Sequence, residues 1–175
     1  MEGRTCQDER LPMAHVFKPI RASLKREYAV YVVIIRSAEG IAFYVGKTGD
    51  NREGCNPLIS RCGNHFSYNK IHSQVRNYVD DHENCEYTYV FEHFGEYDLS
   101  QHSARIDHIN EMERWLNQEI QELVQGDERY SILNPYLGTG FVRKEERVKR
   151  AALRDGMSKH KISDIIQTVT REVGT

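Results

Sequence analysis

At 175 residues, 39% hydrophobic and 29% charged, the chain has the length and balance of one globular domain, or one domain plus a small appendage. No apolar run reaches membrane-spanning length and the N-terminus has no signal-peptide core, which argues against a membrane protein and points to the cytoplasm. Four scattered cysteines without a CxxC pair exclude a disulfide scaffold, and a net charge of −2 excludes a uniformly basic nucleic-acid binder, so any phosphate contact has to come from local patches.

Met1 to about Ala14 shows no period and reads as a tail, and Ser23 to Glu27 as a helical turn. Two apolar runs follow, Ala29 to Ile35 and Ile41 to Val45, split by Ser37-Ala38-Glu39-Gly40; this pattern predicts a β-hairpin. Strand alternation places Tyr31, Val33 and Ile35 on one side of the first strand, and Ala42, Tyr44 and Gly46 together on the second. A turn-rich loop, Gly49 to Asn56, leads to a helix in which Asn56 is the expected N-cap and Pro57 the first helical residue. On that helix Arg61 and His65 stand four apart and share a face. Hairpin and helix together can bring two phenols, a guanidinium and an imidazole to one place. The plainer alternatives are packing tyrosines and a solvated helix face. Gly46-Lys47-Thr48 ends like a phosphate loop, but five residues, not four, separate Gly40 from Gly46, and no helix follows at once.

Lys70 to His82 is expected as a second helix and Cys85 to Phe94 as a third strand, with Tyr87, Tyr89 and Phe91 on one side. His102 to Val124 is the strongest helical pattern, with an apolar stripe of Ile106, Ile109, Leu116, Ile120 and Leu123. At about 100° per residue Glu113 points within this stripe, where a carboxylate needs a partner. That partner is either an arginine or a metal ion; Glu111, Glu119 and Glu122 are free to face water. Ser131 to Tyr136 contains Asn134-Pro135, a turn signal in its own right. Val142 to Asp155 is expected as a basic helix carrying Arg143, Lys144, Arg147, Lys149 and Arg150. Gly156 is the expected stop, and Ser158 the cap of a last helix, Lys159 to Glu172. Such a pair is either a helix-turn-helix or a pair packed on the core.

Ala29-Val30-Tyr31, Tyr44-Val45-Gly46 and Arg61-x-x-x-His65-Phe66, in this order, resemble the GIY-YIG nuclease family over about residues 28–134. The first triplet keeps only the family's tyrosine, and the loop Gly49 to Asn56 is longer than usual. Together with the predicted elements, the resemblance implies an α+β fold: a small three-stranded antiparallel sheet flanked by helices. Residues 1–27 would be a tail and approach segment, 28–140 the nuclease-like domain and 141–175 a basic helical extension. It implies a metal-dependent endonuclease on DNA, with Mg²⁺ or Mn²⁺ as cofactor. Tyr31 would act as general base or activated phenol, Tyr44 by hydrogen bonding, Arg61 on the phosphate charge and His65 as acceptor of the Tyr31 proton. Glu113 matches the family's metal-binding glutamate, followed by Leu116 and Ile120; Asn117 stands where many members have isoleucine. Asn134 matches an asparagine whose amide braces the active site. Lys47 and the C-terminal basic residues are candidate DNA contacts. A compact chain without a separate recognition domain leans toward a restriction enzyme, and a homodimer is compatible with it. The alternative is a nucleic-acid-binding or assembly module that does not cut; an intact Tyr31, Arg61, His65 and Glu113 argues for cutting.

Overall fold

The computed structural model describes residues 16–49, 55–69, 71, 73–137 and 143–174. The expected N-terminal tail, most of the loop after Gly49 and the Gly138-Thr139-Gly140 junction lie outside the described residues.

The fold is α+β. Strands β1 (Glu27–Ser37), β2 (Gly40–Lys47), β3 (Glu86–Glu96) and β4 (Tyr130–Ile132) form one sheet in the order β3-β1-β2-β4. Strand β1 is central, so Tyr28 to Ile35 is buried throughout and reads as an unbroken apolar run. It pairs antiparallel with both neighbours, Tyr31 opposite Gly46 on one side and Phe91 on the other.

The sheet departs from the expected three antiparallel strands by the addition of β4. This short strand pairs parallel with β2 at Ile41 to Phe43. Gly40 makes the approach possible: its φ is +146°, and a Cβ there would meet the Arg129 carbonyl oxygen at 2.7 Å. Only glycine takes this conformation at little cost.

Helices α1 (Leu58–Phe66) and α2 (Gln74–Tyr78) lie on the sheet face that carries Tyr31, Val33, Ile35 and Tyr44, burying Leu58 and Val75 there. Helix α1 starts one residue later than expected, with Pro57 at the N-cap and no side-chain cap bond. Helix α2 is a short remnant of the expected Lys70 to His82 helix: Val75 is buried, but Ile71 and Tyr78 are exposed.

Helix α3 (His102–Val124) covers the opposite face together with α5 (Gly156–Val173). Ile162, Ile165 and Val169 of α5 belong to the same core as Val32, Phe43 and Ile109, so the C-terminal segment packs on the sheet and does not stand apart as a helix-turn-helix. Gly156 opens α5 instead of stopping a helix, and Asp155 is the cap, its Oδ1 accepting from the Ser158 N–H at 2.7 Å. Between them α4 spans Lys144–Ala152. Among the described residues no helix is long and apolar enough to cross a membrane.

Candidate active site

The α3 stripe corrects the assignment of its acids. The buried apolar residue between Ile109 and Leu116 is Met112, which gives steps of three and four and closes the apolar face. Glu113, one position on, is turned out of the stripe; its side chain is 29% exposed. The buried carboxylate is Glu111, only 2% exposed, although its place in the helical pattern leaves it free to face water. It is held by Arg114 one turn on and by Arg154, whose Nε donates to Oε1 at 2.8 Å. The arginine pairing considered for Glu113 therefore exists two residues earlier. It ties α3 to the turn between α4 and α5.

Glu113 faces a polar cavity of about 210 Å³ shared with Tyr31, Tyr44, Lys47, Arg61 and His65. Helix α1 supplies Arg61 and His65 from one face, as their spacing predicts, and β1 and β2 supply the phenols. The fit depends on Gly46, opposite Tyr31 in the register: a Cβ at Gly46 would lie 2.5 Å from the Tyr31 hydroxyl. The glycine of the second triplet is thus a seat for the phenol of the first.

The Tyr31 hydroxyl is 3.0 Å from Nε2 of His65, and Nδ1 of His65 is 2.8 Å from the hydroxyl of Tyr89 on β3. Burial pushes Tyr31 well above the ordinary phenol range; the neighbouring Tyr44 adds to this, and the Arg61 guanidinium opposes it. Tyr44 is pushed up to about 12, by burial first and by Glu113 second. Burial and the charge of Arg61 lower His65 to about 4, so it is neutral at pH 7 and able to accept a proton.

Lys47 lines the cavity, where its Nζ sits 2.5 Å from Oε2 of Glu113. In this state it neutralises the carboxylate. Asn134 stands beside the site as a brace: its Oδ1 accepts from the Val45 N–H at 3.0 Å and its Nδ2 donates to the Val45 carbonyl at 2.7 Å. Asn117, the departure from the family pattern, holds that brace, donating to the Asn134 carbonyl at 2.9 Å and accepting from the Tyr136 N–H at 2.8 Å.

Compared with protein-family models, curated proteins and solved structures, the chain matches none.

The C-terminal basic residues are not brought to this cavity. Arg143, Lys144 and Arg147 are exposed, whereas Lys149 pairs with Asp107 at 2.9 Å and Arg150 with Glu146 at 2.9 Å. Tyr89 was missed as a site residue. Its signal was the strand alternation, which puts it on the Tyr31 side of the neighbouring strand.

Among the described residues no group of three or more His, Cys, Asp or Glu side chains is placed to cage a metal ion. The residues fit a Mg²⁺ or Mn²⁺ ion held through one carboxylate: Glu113 is partly exposed, lines a polar cavity and already has a cation against it. Mg²⁺ commonly keeps several waters and needs few protein ligands.

Proposed function

We propose that the protein is an endonuclease of the GIY-YIG type that hydrolyses DNA phosphodiester bonds. The observation that carries this reading is the convergence of Tyr31, Tyr44, Arg61, His65 and Glu113, from four separate elements, on one polar cavity. A cavity that only stabilised the fold would have little reason to gather an imidazole, two phenols, a guanidinium and a carboxylate at its wall.

Arg61 binds the scissile phosphate, since a guanidinium matches two phosphate oxygens with parallel N–H donors. Tyr31 keeps its proton in the free protein, because burial disfavours phenolate. It works as a base by passing that proton on: as the attacking water gives a proton to the Tyr31 oxygen, Tyr31 gives its own to Nε2 of neutral His65. The Tyr44 hydroxyl remains protonated and donates a hydrogen bond to the phosphate or to the water. Glu113 would hold the divalent cation, whose charge, when bound, offsets that of the phosphate and its leaving oxygen. Lys47, released from Glu113, is then free to contact a phosphate.

Incubation with mixed plasmid DNA and Mg²⁺, followed by mapping of fragment ends, tests the reading. Recurrent ends made by the wild type and absent with Tyr31→Phe are expected. Binding without cutting would point instead to a non-catalytic nucleic-acid module.

A further inference from the structure

The histidine in this site contacts two hydroxyls, and a neutral imidazole has one donor and one acceptor. One hydroxyl must therefore donate to the ring and the other accept from it. Tyr89 also shares a hydrogen bond with the Cys62 thiol, and a thiol sulfur can accept. Tyr31 is placed differently: its surroundings include the Arg61 guanidinium, which can only donate. Each end favours the same direction. Tyr89 also stacks on His65, with ring centroids 5.8 Å apart and planes 18° apart, which fixes the imidazole plane.

We propose that Tyr89, backed by Cys62, is a positioning residue that holds His65 in the tautomer with the proton on Nδ1, leaving Nε2 bare toward the Tyr31 hydroxyl. The chain of donors then runs from Tyr31 O–H to Nε2, from Nδ1–H to the Tyr89 oxygen, and from Tyr89 O–H to the Cys62 sulfur. The opposite tautomer would present Tyr31 with an N–H and block its proton transfer. The consequence for cleavage rests on the nuclease reading; the tautomer does not.

The test uses the full chain with ¹⁵N-labelled histidine, the His65 ring signals being assigned by their loss in His65→Gln. In the wild type Nδ1 is expected to be protonated and Nε2 bare. Tyr89→Phe removes the acceptor for Nδ1–H, so the proton should move toward Nε2. Single-turnover cleavage should fall about 10–100-fold, as for other groups that orient a working histidine, at unchanged melting temperature and DNA affinity. Cys62→Ala provides a second approach: Tyr89 loses its acceptor, turns to donate to Nδ1 and shifts the ring in the same direction. A wild-type His65 protonated on Nε2, or a ring unchanged in both variants, would overturn the proposal. The expected tautomer and its shift in a protein that cuts no DNA would support the assignment and overturn the nuclease reading instead.

Discussion

On one face of the sheet Val30, Val32, Ile34, Phe43 and Val45 meet Ile109, Met112, Leu116 and Ile120 of α3 and Ile162, Ile165 and Val169 of α5. On the other face Tyr31 and Tyr44 meet Arg61 and His65 beneath two short helices, with a polar cavity between them. The first face removes apolar surface from water and contributes most of the stability. The second holds an imidazole that is 3% exposed and phenols whose burial raises their pKa values, an arrangement that works against stability. Substitutions on the two faces should therefore separate, one set acting on melting and the other on chemistry.

The largest effect that sharpens this contrast is kinetic. Tyr31→Phe keeps the ring over Gly46 and deletes only the hydroxyl, and Arg61→Ala removes the proposed phosphate clamp. Each should lower single-turnover cleavage by about 10² or more. Wild-type rates in both variants would make the second face merely another packing surface.

The two acids of α3 test the contrast within one helix. Glu111→Gln leaves two partly exposed guanidinium groups, Arg114 and Arg154, without their buried anion and should lower stability by about 1–3 kcal/mol. Glu113→Gln breaks a partly exposed pair with Lys47, so in the metal-free protein its melting point should move far less, while cleavage collapses. Equal losses in denaturant melts would break the comparison.

His65 adds a pH signature. Its folded value of about 4 lies below the ordinary 6.5, mainly through burial. Between these limits the unfolded chain binds a proton that the folded chain refuses. Stability is thus lost as pH falls through this window, by on the order of 3 kcal/mol once it is crossed. His93 and His108 are also lowered by burial, so the quantity to measure is the difference between wild type and His65→Gln, whose melting curve should fall less steeply from pH 6.5 to 4.

The smallest effect is expected outside both faces. Lys149 and Arg150 are already neutralised by Asp107 and Glu146, so changing both to Glu should weaken DNA binding modestly and flatten its salt dependence by about one unit of slope per lost phosphate contact. A steep loss would move the DNA path onto α4.

The hairpin, the side to which each strand residue points, the third strand and the span of α3 were legible, because period-two and period-3.6 patterns are local. What escaped depended on partners distant in the chain. Strand β4 is three residues long and becomes a strand only by lying on β2, some ninety positions earlier, past Gly40. The burial of Glu111 rests on Arg154, 43 positions away. A stripe counted from Ile109 to Leu116 as one step of seven puts Glu113 in it, whereas Met112 is the apolar side chain that fills the position. Tyr89 lay on the correct side of its strand, but nothing local tied it to His65. Gly156 resembled a terminator because glycine often ends helices, yet Asp155 with its bond to the Ser158 N–H makes this position a start.

The Asn134 amide also closes the outer border of β2. Beyond the Ile41 to Phe43 pairing with β4, the next free backbone groups on that side are the N–H and carbonyl of Val45, and the amide occupies both. A side chain thus mimics one rung of a further strand without being one. Strands from neighbouring molecules are denied a template beside Gly46, where edge-to-edge growth would seal the cavity. Asn134→Ala should therefore show itself first in light scattering at high protein concentration, as slow self-association of a chain that still folds.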